Sequence, residues 1–566
     1  MMNASLKWQA ADWLNVVGRV NLDNSDYRNK NEKSASTLTT FCGVSGGFED
    51  AMRQERSLYA DFLANIDKTF GDFHLTANVG ASIYHTSMDQ LYIAGDLVIP
   101  NFFQINNINF SANYKPDPTG YEDEIQSIFA SAELSWKNQL YLTVTGRNDW
   151  DSKLAFSKQK SFFYPSVGLS ALLSEMVKLP EVISYAKIRG SYTVVASSFD
   201  RFLTNPGYEY NSQTHNWANP TVYPMDNMKP EKTKSWEIGL NLKFWGNRFN
   251  LDATYYRSNT LNQTFKVDIP SSSGYKQAIV QAGNVQNQGL ELALGFNDKW
   301  AGFGWSSNAT FTLNRNKVKR LASGSVNPVT GEAIQMDEMN VGWLGKENVA
   351  PRVILTEGGS MTDIYVYNQL TKDNNGNIKV DQNGNLGITS SNTPVKVGNL
   401  DADFNLGWTN HFTYKGIDLG VVLSARVGGL AYSATQGILD YYGVSGTSAT
   451  ARDNGGIPIN NGKVNAQKYY QTIGTGEGGY GRYYLYSATN VRLQELSLNY
   501  TLPKRWFKNV ANVTLGIVGR NLWMIYCKAP FDPELSASTS SNYYMNVDYF
   551  MQPSLRNFGF NVKVQF

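Results

Sequence analysis

Asn557-Phe-Gly-Phe-Asn-Val-Lys-Val-Gln-Phe566 closes the chain, and its alternation decides the fold. Every second residue is apolar: Phe558, Phe560, Val562, Val564, Phe566. Between them stand Asn557, Gly559, Asn561, Lys563 and Gln565. Side chains on a strand alternate between faces, so this segment has one apolar and one polar face. A soluble sandwich strand alternates too. Here, however, the strand ends on an aromatic residue, and long strands of the same kind recur up the chain. They are separated by connections that are alternately very short and very long. That is the layout of an antiparallel transmembrane β-barrel wall.

The bulk composition agrees. In 566 residues there are 33 Tyr, 28 Phe and 13 Trp, with 49 Gly, and charged residues make up only 17%. No run of about 18 apolar residues occurs, which excludes helical membrane spans but not strands with one polar face. A net charge of +2 argues for no nucleic-acid partner. Cys42 and Cys527 lie far apart and read as two unrelated residues rather than a disulfide. Met1 to Trp8 lacks the charged and apolar regions of a signal peptide. An outer-membrane protein needs one, so the signal has been removed or the chain is part of a longer protein.

Reading forward, Ser5–Gln9 and Trp13–Asp23 form a hairpin, and Asp23 to Glu49 is polar and irregular. Ser57–Phe70 turns at Gly71-Asp72 into Phe73–Tyr84, and a long connection runs from Thr86 to Glu122. Glu124–Trp136 pairs with Gln139–Trp150, and Ser161–Ser174 with Ser184–Val195. Lys234–Phe244 turns at Gly246-Asn247 into Phe249–Arg257. Gly289–Phe296 pairs with Trp305–Arg315, and Asp403–Tyr414 turns at Lys415-Gly416 into Ile417–Val427. Val491–Leu502, Val510–Trp523 and Phe558–Phe566 complete about seventeen strands. A phase shift between Leu493 and Leu496 predicts a β-bulge. Long connections fall near 24–54, 86–123, 196–232, 317–400, 428–488 and 525–554. With short turns on the inner side, the first and last strands both run downward.

Nothing points to catalysis. His74, His85, His215 and His411 lack metal-ligand spacing, and there is no nucleophile elbow or phosphate loop. The polar set of each strand places Arg147, Glu237, Asn241, Asp252 and Arg520 toward a water-filled interior, where such residues tune selectivity. Trp136, Trp150, Trp236 and Trp523 read as interfacial girdle residues. Trp217, Tyr441, Tyr442, Tyr469, Tyr470, Tyr480, Tyr483 and Tyr484 fall in long connections. Their rings can stack on sugars, meet a partner protein, or pack on one another.

Several segments carry a family resemblance. They are Thr145-Gly-Arg-Asn-Asp-Trp150, Tyr164-Pro-Ser-Val-Gly-Leu-Ser170, Lys187-Ile-Arg-Gly-Ser-Tyr192 and Lys229-Pro-Glu-Lys-Thr-Lys-Ser-Trp-Glu-Ile-Gly239. Asn284-Val-Gln-Asn-Gln-Gly-Leu-Glu291, Asn490-Val-Arg-Leu-Gln-Glu-Leu-Ser-Leu498 and Gly519-Arg-Asn-Leu522 follow in order. Together they resemble the C-terminal barrel portion of SusC/RagA-type TonB-dependent outer-membrane transporters. The resemblance implies a plugged barrel of about 22 strands, of which residues 1–566 supply about seventeen. Signal peptide, TonB box, plug and first strands are then absent from this sequence. It further implies uptake of an oligosaccharide or peptide, with a SusD-like surface lipoprotein over the long loops. The TonB complex would act through the missing N-terminal part, in the cell outer membrane, and no cofactor is expected. Phe566 resembles the C-terminal aromatic that the barrel-assembly machinery reads. Asp373-Asn-Asn-Gly-Asn377 and Asp381-Gln-Asn-Gly-Asn385 sit where members often carry an acidic Asp/Gly-rich loop. With one Asp each they read as Asn-Gly turns rather than calcium loops. The competing expectation is a secreted or surface β-rich binding protein or adhesin. That would require ordinary strands of about five or six residues and a charged outer face.

Overall fold

The computed structural model describes residues 1–566 except 111–115, 206, 212–215, 226–227, 323–325, 328, 335 and 536–545. Its main body is an 18-stranded sheet. One member is the two-residue strand Val222–Tyr223, which lies parallel to Gln277–Ala278. The other seventeen form an antiparallel meander in chain order. They are β1 (Met2–Ala11), β2 (Leu14–Lys33), β3 (Gly47–Phe70), β4 (Phe73–Asp96), β5 (Asp117–Trp136), β6 (Leu140–Asp151), β7 (Phe162–Leu172), β8 (Ile183–Ser197), β9 (Glu231–Phe244), β10 (Phe249–Asp268), β11 (Gln277–Trp300), β12 (Phe303–Arg320), β13 (Phe404–Tyr414), β14 (Ile417–Val427), β15 (Asn490–Thr501), β16 (Asn512–Cys527) and β17 (Asn557–Gln565). The strands run to 24 residues, well beyond the ordinary length the adhesin reading needs. Among the described residues β1 pairs only with β2 and β17 only with β16, and no pairing there closes the wall on itself. An odd number of alternating strands makes β1 and β17 run in the same direction.

Residues opposite each other in an antiparallel ladder share a face. Following partners from strand to strand, Leu6 meets Gly18, then Phe62, Ala81 and Ile128. At the far end Leu419 meets Leu498, Ile517 and Phe560. One face is thus apolar across the sheet, and its side chains stand exposed. The opposite face carries Arg19, Asp61, Arg147, Asn241 and Asp252. Ladder hydrogen bonds satisfy the backbone along the paired lengths of β2 to β16, as a spanning structure in hydrocarbon requires, and leave β1 and β17 with one open edge each. No helix among the described residues is long and apolar enough to cross a membrane.

At the short-turn end a chain of touching rings borders the apolar face. It runs through Phe244, Trp245, Phe249, Phe296, Trp300, Phe303, Trp305 and Phe412, with centroids 4.6–6.4 Å apart. Lysines lie over neighbouring rings at other short turns: Lys68 over Trp13, Lys137 over Trp136, Lys415 over Tyr414. These rings and cations form an interfacial girdle.

The bulge expected between Leu493 and Leu496 is present. Leu423 pairs with Leu493 and Val422 with Glu495, which leaves Gln494 unpaired, and the same skip occurs against β16. The expected irregular stretch from Asp23 to Glu49 is corrected. β2 continues to Lys33, β3 starts at Gly47, and the ladder is unbroken from Asn24↔Arg56 to Lys33↔Gly47. Thr86 to Asp96 and Asp117 to Asp123 also belong to β4 and β5. Above Leu22 and Leu58 the outward positions become Asn24, Asp26, Arg28, Gln54 and Arg56. There water touches both faces, the period-2 hydropathy disappears, and ion pairs such as Arg28–Asp50 and Lys33–Glu49 cross-link the strands instead.

The packed core lies in the long connections. In the connection between β12 and β13, the described residues form a four-stranded antiparallel sheet of Glu338–Trp343, Arg352–Thr356, Asp363–Leu370 and Ile388–Asn399. Residues 428–489 add the helices Ala434–Tyr441, Gly446–Asp453 and Ala466–Gly474, capped by Ser433, Ser445 and Asn465 side chains. Leu344, Val353, Ile364, Tyr432 and Tyr484 are buried where these pieces meet the extended tops of β10 and β11. Cys42 and Cys527 are both free thiols.

Candidate functional site: the inner wall and the loop assembly

The inner face carries charged groups tied to one another. Arg147, on β6, gives Nε to Asp149 Oδ1 (2.7 Å) and Nη2 to Ser127 Oγ (2.8 Å). Tyr164 donates its hydroxyl to the same Asp149 carboxylate. Asn241 donates to Asp252 Oδ2 at 2.9 Å. Asp252 also receives Arg189 Nη2 at 2.8 Å, and that nitrogen reaches Thr254 Oγ1 at 2.7 Å. Gly239 makes room for this arrangement, since a Cβ there would lie 2.5 Å from Arg189 Nε. Glu237 stands on the same face between Ser191 and Tyr256, without a direct hydrogen bond among the described residues. Arg520 Nε reaches Glu495 Oε2 at 2.8 Å and stays largely exposed. The sequence-predicted inner residues therefore fall into separate clusters along the wall, with no single centre.

Sequence reasoning missed the partners. Arg19 is bidentate to Asp61, which also accepts from Tyr59. Arg201 holds Asp123 from the β8–β9 connection and lies 3.5 Å from the Tyr121 ring centroid. The Arg201 hydrogen bond keeps the Asp123 carboxyl below the usual carboxylate range. Nearly buried Arg492 is bidentate to Asp532 (2.7 and 2.9 Å) and takes Asn490 Oδ1 at 2.9 Å, which fastens the connection after β16 to β15. Burial alone would raise Asp532, yet its bonds to Arg492 and the Glu534 amide hold it low. Arg19 and Asp61 are direct cross-strand partners, a relation visible only once the register is known.

The loop aromatics divide. Trp217 is 68% exposed and lies 5.0 Å from Tyr210 on the short hairpin Glu209–Asn211/Asn216–Ala218. Tyr442 is exposed and meets Tyr441 edge-on, while Tyr441 lies against Gly474 and Gly476. The Tyr483 hydroxyl accepts the Leu370 amide at 2.7 Å. Tyr484 is 1% exposed and packs in the loop core, the last of the three roles that the sequence left open for it. Burial pushes the Tyr432 and Tyr484 hydroxyls up, and Tyr486 up to about 12, so these rings are neutral packing groups. Phe566 is 96% exposed at the end of β17.

Both Asp-Asn-Gly segments form turns, but Gly does not occupy a central position. Gly376 N bonds Asp373 O and Gly384 N bonds Asp381 O, with positive φ at each Gly: a four-residue turn closed by a left-handed glycine. Asp373 Oδ1 accepts the Asn375 and Asn377 amides, and Asp381 Oδ1 the Asn383 and Asn385 amides. These backbone bonds, led by those from Asn377 and Asn385, hold both carboxyls low. Beside the turns, Asn377, Asn385, Asn460 and Lys379 line an open hollow of about 790 Å³. Such a surface offers amide donors and acceptors to a polar solute. No group of three or more metal-ligating side chains occurs among the described residues.

Comparison with known proteins places this architecture. Residues 1–345 match the family described as TonB dependent receptor-like, beta-barrel. TonB-dependent receptor P3 of Formosa agariphila is 24% identical over 570 residues, covering 94% of this chain and 54% of that protein. TonB-dependent receptor SusC of Bacteroides thetaiotaomicron is 25% identical over 452 residues, covering 75% and 43%. The chain thus spans about half the length of the curated relatives it matches. The structure of the RagAB peptide transporter superimposes with a TM-score of 0.76 at 16% identity, over 99% of this chain and 60% of that one, a likeness of fold. The chain belongs to the TonB-dependent receptor-like β-barrel family of the outer membrane, and within that family it resembles the SusC/RagA type.

Proposed function

We propose that this chain is the C-terminal barrel wall of an outer-membrane importer. It would take up an oligosaccharide or a peptide through a polar lumen, with a SusD-like surface lipoprotein over the long loops. The TonB complex would drive uptake through a segment outside this sequence, and the wall itself would need no cofactor. The observation that carries the reading is the continuous separation of faces. Across seventeen strands one face is apolar and ringed by aromatics, while the other holds Arg, Asp, Asn and Glu side chains that suit water and solute. The name of the RagAB peptide transporter states a peptide cargo for that protein, whereas the oligosaccharide rests on the SusC/RagA-type resemblance.

Two free edges support a further part of the reading, that this wall works only with strands from elsewhere. β1 and β17 run in the same direction, so they cannot close against each other as antiparallel neighbours. Unpaired backbone groups in hydrocarbon cost several kcal/mol each. An odd number of added strands closes the ring with correct alternation. The test is deletion of the gene in its host, followed by growth on single oligosaccharides or peptides and uptake of labelled cargo. Unchanged growth and uptake on every cargo refutes importer function. A heat-modifiable, protease-resistant barrel from residues 1–566 alone refutes the need for added strands.

A further inference from the structure

The apolar face is recessed across β1 to β6. Small residues Gly18, Ala60 and Ala81 line the recess, beside Leu6, Phe62 and Ile128, which are 56% to 77% exposed. It measures about 980 Å³. A Cβ placed on Gly18 would meet nothing within 4 Å, so the trough is open there. Leu6, Gly18, Phe62, Ala81 and Ile128 are successive cross-strand partners, and Asn148 on β6 is the next. Five strand spacings of about 4.8 Å make the trough about 24 Å long. Gln126 and Trp150, paired on the ladder, stand at its β6 end. Gln126 Nε2 donates to Glu124 Oε1 at 2.8 Å. The Asn148 side chain is half-buried on the same face as Ile128 and Phe163, without a hydrogen-bond partner among the described residues.

The trough is inclined to the membrane. Barrel strands tilt by about 35–45°, and the short turns mark the inner boundary. Leu6 stands six residues from the turn at Asp12, about 20 Å along its strand and about 15 Å along the membrane normal. Asn148 stands ten residues from the turn at Asn138, about 33 Å and about 25 Å by the same measures. In an apolar band about 25 Å tall, the Asn148 end meets the outer boundary and the Leu6 end lies near mid-membrane.

We infer that this trough is a binding groove for one acyl chain of an outer-leaflet lipid. The lipid's head end lies at Asn148, Gln126 and Trp150, and its tail descends over Ala81 and Gly18 towards Leu6. The inference rests on the outer-membrane family and is independent of the cargo. The recess belongs to a surface that hydrocarbon already covers, so its occupant comes from the bilayer. The slope selects the leaflet: a lipid of the inner leaflet would put its head below Leu6, at the opposite boundary. The two ends also differ in chemistry. The deep end offers only aliphatic and phenyl surface. The shallow end offers carboxamides and an indole N–H, which match the ester, amide or hydroxyl groups where a lipid tail joins its head. A carboxamide facing hydrocarbon without a partner is costly, and a lipid carbonyl or hydroxyl at Asn148 removes that cost. Leu6, Phe62 and Ile128 stand beside the small residues and add side contacts that a flat lipid-facing strand lacks. Strands added to close the wall would join the edge of β1 and leave this face open.

The test feeds the native host a fatty acid carrying a diazirine near its terminal methyl. After illumination, lipid adducts on the complete receptor are mapped and weighed by mass spectrometry. The expected result is outer-leaflet lipid on Leu6, Gly18 and Phe62, at least fivefold above the labelling of Leu294. Leu294 is 55% exposed on the apolar face of β11, outside the recess. Gly18→Trp starts from a Cβ that meets nothing and fills the trough. It should lower those adducts, and the lipid that co-purifies with the receptor, at least fivefold. Asn148→Leu should lower the co-purified lipid severalfold, and Leu294→Trp should change neither readout. Equal labelling of Leu6 and Leu294 in the unaltered receptor overturns the groove, whatever the variants do. Equal loss of lipid in Gly18→Trp and Leu294→Trp overturns it as well. An inner-leaflet phospholipid or a lipoprotein's acyl anchor at Gly18 overturns the occupant, as does a receptor dimer that Gly18→Trp dissociates.

Discussion

Replacing Leu240 by Arg tests which solvent the apolar face meets. Leu240 sits on β9 midway between Trp236 and Phe244, with Ile188 and Ala253 as its partners on that face. Eight residues separate the two aromatic ends, about 26 Å along the strand and about 20 Å along the membrane normal at a typical tilt. Leu240 therefore stands near the centre of the hydrocarbon, where Arg costs about 2–4 kcal/mol. That is about 30- to 1,000-fold in the folded-to-unfolded ratio. Ser191→Arg is the control: it lies on the neighbouring strand β8, three residues from Ile188 and on the opposite face, across from Glu237, and should change stability by less than about 1 kcal/mol. The assay is the urea midpoint of the complete receptor reconstituted in lipid vesicles, with heat-modifiable protein in cells as a second readout. Equal, small effects of both substitutions would mean that water touches both faces, and the membrane assignment would fall.

Other outcomes follow from single contacts. Tyr432 is fully buried and donates to the Gly478 and Gly479 carbonyls, so Tyr432→Ala should cost the loop assembly about 3–5 kcal/mol; limited proteolysis should cut 428–489 while the wall stays intact. Arg28 holds the Asp50 carboxyl below its usual range. A depressed folded value gives stability that is present above about pH 4 and lost as pH falls through that folded value. Proteolysis of residues 34–46 should therefore be flat from pH 7 to 5 and rise below about pH 4, and Asp50→Asn should raise it already at neutral pH. Gly239→Val should push Arg189 off Asp252, changing cargo uptake with less than about 1 kcal/mol lost in assembly, read by uptake against heat-modifiability. Deleting Phe566 should reduce outer-membrane receptor severalfold at equal synthesis, measured by fractionation, whereas Phe566→Trp should not.

The wall was legible because lipid on one side and water on the other impose alternation at every residue. That signal located the strands, the short turns and the bulge at Gln494. It failed above the belt, where both faces are wet: nothing in the hydropathy of Asn24 to Lys33 distinguishes a ladder from a loop, although every backbone group there is placed by its neighbour. The loop assembly was illegible for another reason. Tyr484 and Trp217 look alike in sequence, and only the long-range packing of 321–403 against 428–489 buries one and exposes the other. The inner-face residues Arg147, Asn241, Asp252 and Arg520 were found by parity, but Asp149, Arg189 and Glu495, which pair with them, required the register.

The chain of touching rings from Phe244 to Phe412 occupies only β9 to β13, and the bulkiest superstructure rises from β12 and β14 directly above that sector. Anything that pulls or leans on the superstructure acts as a lever on those strands. Lifting or rocking them would drag a whole row of indoles and phenyls out of the headgroup layer together, and their linked contacts make them move as one.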